Sequence, residues 1–168
     1  MENSTPDPIK IFQDVAVGKI IDKKWTGQLH EAFKHLANSS KGDAGEEFIK
    51  IYTEALGFKI EYRVSRLGDW DVKINGKTFE VKCATEDIAG SFQFNHIRYD
   101  SKYDYLLCLG ITPSNLVFDV WPKGEVATGL AGNLVSMGKN QNSSFKLTKK
   151  VSALKDIHEL KEVLSKII

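Results

Sequence analysis

The dipeptide Asn75-Gly76 constrains this chain more than any other short stretch. A two-residue hairpin turn needs positive φ at both central positions, which Asn and Gly adopt at little cost. The flanking segments, 70–74 and 77–83, alternate apolar and polar residues as half-buried strands do. Folding about the turn opposes Ile74 to Lys77, Val72 to Phe79, Asp71 to Glu80 and Asp69 to Lys82. The period of two then sends Trp70, Val72, Ile74, Phe79, Val81 and Cys83 to a core face, and Asp69, Asp71, Lys73, Thr78, Glu80 and Lys82 to a water-facing one. Like charges directly opposed on a strand pair destabilise it, unless a carboxyl pKa rises or a cation sits between them. Mg²⁺ takes one or two protein carboxylates and fills its shell with water and phosphate, so Asp71 and Glu80, with the Val81 carbonyl as a further ligand, read as an open metal site beside Lys82. The plainer alternative is a solvated face on which Asp69 pairs with Lys82 and Glu80 with Lys73, contacts of small energetic value.

Around the hairpin, a helix is expected over 28–37, an interruption at "SSKGD", and a second helix over 44–56 stopped by Gly57. "KIEYRVS", "YDYLLCLGI" and "LVFDVWP" read as strands. "ATGLAGN" reads as irregular, "LVSM" and "SFKLTK" as a hairpin around "GKNQNS", and 151–168 as an amphipathic helix. With residues 1–10 as a loose tail, 168 residues fit one α/β domain whose mixed sheet is covered by helices on both faces. Cys83 and Cys108 lie in apolar runs without zinc spacing, which implies two reduced core thiols. No apolar run reaches membrane-spanning length and the first residues lack signal-peptide character, so a cytoplasmic protein with no membrane contact is expected.

The net charge is only +1, but 126–155 contains no acid and holds Lys139, Lys146, Lys149, Lys150 and Lys155. With Asn140 in the same turn, that stretch is a candidate phosphate-gripping loop. "SFQFNHIRYD" interleaves Phe92, Phe94 and Ile97 with Gln93, Asn95, His96 and Arg98, and Asn, Gln and Arg are side chains that read purine edges. The alternative for this segment is an amphipathic element whose polar side is merely wet, and His96 fits that description best.

Taken together, residues 41–111, from "KGDAGEEFIKIYTEALGFKI" through "GDWDVKINGKTFEVKCATE" to "SFQFNHIRYDSKYDYLLCLGI", resemble the PD-(D/E)xK nuclease superfamily. Asp71 falls on the first acid, Glu80 on the second and Lys82 on the lysine. Trp70 replaces the proline that often precedes the first acid, which leaves Asp69 as a substitute for Asp71. A helical glutamate of the superfamily maps onto Glu46, with Glu47 as runner-up; Asp43-x-x-Glu46 is also a capping-box pattern, which would explain Glu46 without catalysis. The resemblance implies a restriction-endonuclease-like core and hydrolysis of double-stranded DNA with Mg²⁺, or Mn²⁺ in its place. It further implies a type II restriction enzyme acting as a homodimer. The rivals are a structure-specific or repair nuclease of the same fold, a DNA-binding module without catalysis, and a charged face that only contacts protein.

Overall fold

Asn75 and Gly76 do adopt positive φ, 46° and 83°, in a computed structural model that describes residues 7–17, 22–62, 68–98, 100–138 and 144–168. β2 (Val72–Ile74) and β3 (Lys77–Thr85) pair antiparallel across that turn with Ile74 opposite Lys77 and Val72 opposite Phe79, the expected register. β1 (Ile60–Tyr62) adds to the outer side of β2. On its other edge β3 pairs along its whole length, in parallel, with β5 (Tyr105–Ile111), which continues antiparallel to β6 (Leu116–Pro122) and the two-residue β9 (Lys155–Asp156). The result is a mixed six-stranded sheet of order β1-β2-β3-β5-β6-β9.

Only one face of that sheet is covered mainly by helices. α3 (Asn38–Ala55) and α5 (Leu160–Ile167) bury Ile49, Leu160 and Leu164 against Val72, Phe79, Val81, Leu107, Leu109 and Phe118. The other face carries a three-stranded antiparallel sheet, β4 (Ser91–Ile97), β8 (Phe145–Lys150) and β7 (Leu134–Ser136), which corrects the expectation of helices on both sides. Phe92, Phe94, Ile97 and Leu147 of that sheet pack on Leu106, Cys108, Val117 and Trp121, joined by Val126 of α4 (Lys123–Ala127). The sheets approach closely because position 110 is glycine: a Cβ there would lie 2.6 Å from the Phe92 ring. Each fully buried aliphatic or phenyl side chain in these layers contributes about 1.5–3 kcal/mol of transfer free energy, so the two clusters hold the layers together.

Several expected boundaries move. α1 (Pro8–Val17) occupies part of the supposed tail. The helix expected over 28–37 is reduced to α2 (Glu31–Lys34), and Leu29 and Leu36 are exposed rather than packed. α3 begins at Asn38, six residues before the expected start, so "SSKGD" is helical and Asp43 and Glu46 are not at a helix start; the capping-box explanation of Glu46 falls. The helix at the C-terminus begins at Leu160 and not at 151, behind a true capping box of Asp156 and Glu159. Trp70 leaves the face of Val72 and packs in the second cluster. Both cysteines are free thiols. No helix among the described residues is long and apolar enough to cross a membrane.

Candidate active site

β2 is short, and that shapes the site. Its ladder with β3 ends at Val72–Phe79, so from Glu80 onward β3 is paired only with β5 and its other edge is open. Asp71 lies at this break. Its N–H donates to the Phe79 carbonyl at 2.8 Å, and its buried carboxylate accepts from the Val81 N–H at 2.8 Å. The carboxylate thus takes a backbone donor on the open edge and does not face Glu80 across a ladder, which corrects the opposed pair expected from the register. A strand residue directs its N–H and C=O to the same edge, so the Val81 carbonyl also points to the open side.

Glu80 and Lys82 share one face of β3, as the period of two requires. That face is not water-facing: the small sheet lies over it, and Glu80 is 0% exposed. The Lys82 Nζ sits 2.5 Å from Glu80 Oε1, and an Arg98 guanidinium nitrogen sits 3.6 Å from Oε2. The lysine approaches off hydrogen-bond direction, so neither carboxylate oxygen accepts a hydrogen bond despite the two ion pairs. A buried carboxylate ordinarily satisfies its lone pairs, because leaving them empty costs about 1–3 kcal/mol or more. Glu80 therefore has coordination capacity to spare. Asp69, the substitute considered for Asp71, is exposed.

A cleft of about 470 Å³ opens along β3, and it collects Glu46, Val81, Lys82, Gln93, Asn95 and His96 from three separate elements. Asp71, Glu80 and Arg98 are not among its lining residues; Lys82, which lines the cleft, touches Glu80. Glu46 reaches it from α3 because Gly45 lets the helix lie against β3, where a Cβ would come within 2.6 Å of Cys83 Cβ. Glu46 also pairs with Lys50 at 3.8 Å, whereas Glu47 is exposed and away from the cleft lining. On β4, Asn95 and His96 oppose a single residue of β8 between Phe94–Leu147 and Ile97–Phe145. This bulge, with His96 at φ 60°, breaks the alternation, and Gln93, Asn95 and His96 are all exposed while Phe92, Phe94 and Ile97 are buried. His96 Nδ1 lies 3.3 Å from Ser144 Oγ. Lys139 and Asn140 lie outside the described residues.

Lys34, Asn38 and Lys41 line the same cleft and were not expected from the sequence. The signal was a polar stripe, Asn38, Gly42 and Glu46, at intervals of four, which a search for apolar stripes passes over. Burial lowers the Lys34 pKa, opposed in part by the charge of Asp22. Burial pushes the Cys83 thiol up to about 12, so this cleft residue is no nucleophile near neutral pH. Among the described residues no group of three or more His, Cys, Asp and Glu side chains could hold a metal ion, so any cation here would rest on two carboxylates, a backbone carbonyl and water.

No protein-family model matches the chain, and no curated protein does. Among solved structures, the chain is similar to a bacterial homing endonuclease, I-Ssp6803I, with 10% identity and a TM-score of 0.49, over 79% of this chain and 98% of that one.

Proposed function

We propose that this protein is a Mg²⁺-dependent endodeoxyribonuclease of the PD-(D/E)xK type, that it works as a restriction-type enzyme on double-stranded DNA, and that Mn²⁺ can substitute for Mg²⁺. One observation carries the proposal: Glu80 is wholly buried with no hydrogen bond to either oxygen, and its ion-pair partner Lys82 opens onto the cleft. The donor set suits a hard cation, since Asp71, Glu80 and the Val81 carbonyl offer only oxygen. Mg²⁺ bound there would supply charge to a phosphate oxygen and lower the pKa of a coordinated water.

The chain's own groups do the rest. The Lys82 ammonium donates to the attacking water or to a phosphate oxygen and offsets negative charge that develops there. Arg98, 3.6 Å from the other oxygen of Glu80, adds a second positive charge beside that carboxylate. Glu46 reaches the cleft from the helix side, where its carboxylate would accept a hydrogen bond from water held by the ion. Packing of the small sheet over Glu80 keeps the charges in a low-dielectric setting, where each is worth more than in water.

Asp71→Asn and Lys82→Ala, assayed on plasmid DNA with Mg²⁺, test the assignment. Each should lower the cleavage rate by about 10²–10³-fold, the size of a lost transition-state contact, with DNA still bound. Cutting at the wild-type rate by either variant removes it. The pairing of Glu80 with two cations also suits a DNA-binding module that needs no metal; in that case the wild type binds DNA and never cuts it. Linear duplex, branched and single-stranded substrates, compared under the same conditions, separate a restriction-type enzyme from a structure-specific nuclease.

A further inference from the structure

The lining of the cleft differs in kind from one wall to the other, and the difference bears on how DNA would lie in it. On the helix side stand Lys34 of α2 and Lys41 of α3. The Lys34 ammonium is held by neutral groups, 3.0 Å from the Glu86 carbonyl, 3.5 Å from Thr85 Oγ1 and 4.9 Å from the centroid of the Trp25 ring. The nearby Glu86 carboxylate is paired with Lys24 at 2.8 Å, and Lys34 itself makes no ion pair among the described residues, feeling Asp22 and Asp87 only at longer range. The Lys41 ammonium has no hydrogen-bond or ion-pair partner among the described residues. The two acids of the lining are already engaged: Asp87 accepts from the Ala89 and Ser91 N–H groups, each at 2.9 Å, and Glu46 pairs with Lys50. That wall thus carries two lysines outside any ion pair among the described residues, with Asp87 as the one acid of the lining not paired to a cation.

On the β4 side stand Gln93 and Asn95, both exposed, with no side-chain hydrogen bond among the described residues. Their amides each offer a donor and an acceptor in fixed relation, the pattern that pairs with base edges, and they carry no charge. We propose that the cleft divides its contacts with DNA, with Lys34 and Lys41 taking backbone phosphates on the helix wall while Gln93 and Asn95 meet base edges on the β4 wall. This assignment rests on the nuclease function proposed above and names residues that the catalytic motif does not include. Phosphate contacts position a duplex and release counterions without reading sequence, whereas base contacts discriminate without adding to the salt dependence.

The test is DNA affinity as a function of salt, measured by fluorescence anisotropy in EDTA so that no cutting occurs, on two duplexes: one containing a sequence the wild type cuts and one scrambled. Lys34→Ala/Lys41→Ala should weaken binding to both duplexes alike and flatten the slope of log K against log salt by about 1.8, two contacts at about 0.9 each. Lys41→Ala alone, which breaks no contact within the protein, should flatten it by about 0.9. Lys34→Arg/Lys41→Arg should restore the slope. Gln93→Ala/Asn95→Ala should leave the slope unchanged and narrow the difference between the two duplexes. An unchanged slope in the lysine variants of an enzyme that still cuts plasmid with Mg²⁺ overturns the division of walls and leaves the nuclease proposal standing. The same holds if the lysine variants lose affinity for only one duplex. A wild type that neither binds nor cuts any DNA overturns both.

Discussion

At the scale of single residues, Glu80 concentrates the energetic tension of the molecule. Its carboxylate is fully buried, its oxygens lack hydrogen-bond donors, and Lys82 and Arg98 supply the compensating charge. Arg98 is far more exposed, 44% of its side chain against 20% for Lys82, and stands farther off, so its attraction is weakened by solvent and Lys82 is the main counter-charge. A divalent ion that binds the folded state and not the unfolded chain stabilises by about 2.7 kcal/mol at a hundredfold excess over its dissociation constant. For a domain of this size each kcal/mol moves the melting temperature by about 2–4 °C, so saturating Mg²⁺ should raise the wild-type midpoint by roughly 5–10 °C. Glu80→Gln and Asp71→Asn, whatever their own midpoints, should lose most of that increment. Calorimetry with and without Mg²⁺ reads it, and an equal increment in all three proteins would mean that the ion binds elsewhere.

At the scale of elements, the parts legible in the sequence were those set by neighbours in the chain. The β2–β3 register follows from two turn residues and an alternating pattern, and it holds from Ile74–Lys77 to Val72–Phe79 but ends before the expected Asp71–Glu80 pair. The burial of Glu80 did not, because β4 and β8, from distant parts of the sequence, supply the covering layer and no local pattern announces it. The start of α3 was missed for a related reason: its first two turns face the cleft and so carry polar residues where a core helix shows an apolar stripe. Contact between α3 and β3 is where that misreading matters. Gly45→Ala would set a methyl 2.6 Å from Cys83 Cβ and 2.8 Å from Sγ, so the helix must lift. The expected cost is about 1–3 kcal/mol, with a loss of cleavage as Glu46 withdraws, and Cys83→Gly in the same chain should recover part of both. Urea melts and plasmid cleavage measure the pair, and a Gly45→Ala protein as stable as wild type would show that the helix packs less tightly than these distances. α5 offers a second test. Asp156, which caps the 3-10 turn Ile157–Glu159 leading into it, is held down to about 2, chiefly by the His158 backbone N–H and then by the side chains of Asn115 and His158. A depressed carboxyl contributes stability above its ordinary pKa and loses it as the pH falls toward the folded value, so wild type should outlast Asp156→Ala in thermal melts above pH 4, and the two should converge near pH 2. A difference that persists unchanged at pH 2 would assign the effect to packing and not to the charged cap.

At the scale of the whole molecule, the proposed function raises the question of how one cleft would sever both strands of a duplex. The described residues present a single arrangement of the kind proposed for catalysis, and the strands of a duplex run in opposite directions, related by twofold axes perpendicular to the helix. A single copy that cut both strands would have to release the first product, turn and rebind, and nicked circles would build up before linear DNA. Two copies related by a twofold axis present both sites at once, and cleavage of the second strand then follows faster than release. We therefore expect a homodimer on DNA. Doping wild type with an excess of Asp71→Asn subunits separates the cases, because the variant should bind DNA yet fail to cut. In a dimer, most wild-type subunits then find an inactive partner, each mixed pair cuts one strand, and gels of supercoiled plasmid shift from linear product to nicked circles as the variant is added. In a monomer, the variant merely competes for sites, total cutting falls, and the ratio of nicked to linear product at a given extent of reaction stays where it was. The ratio is informative where the total rate is not, since both models predict slower cutting and only shared catalysis between two subunits changes which product appears.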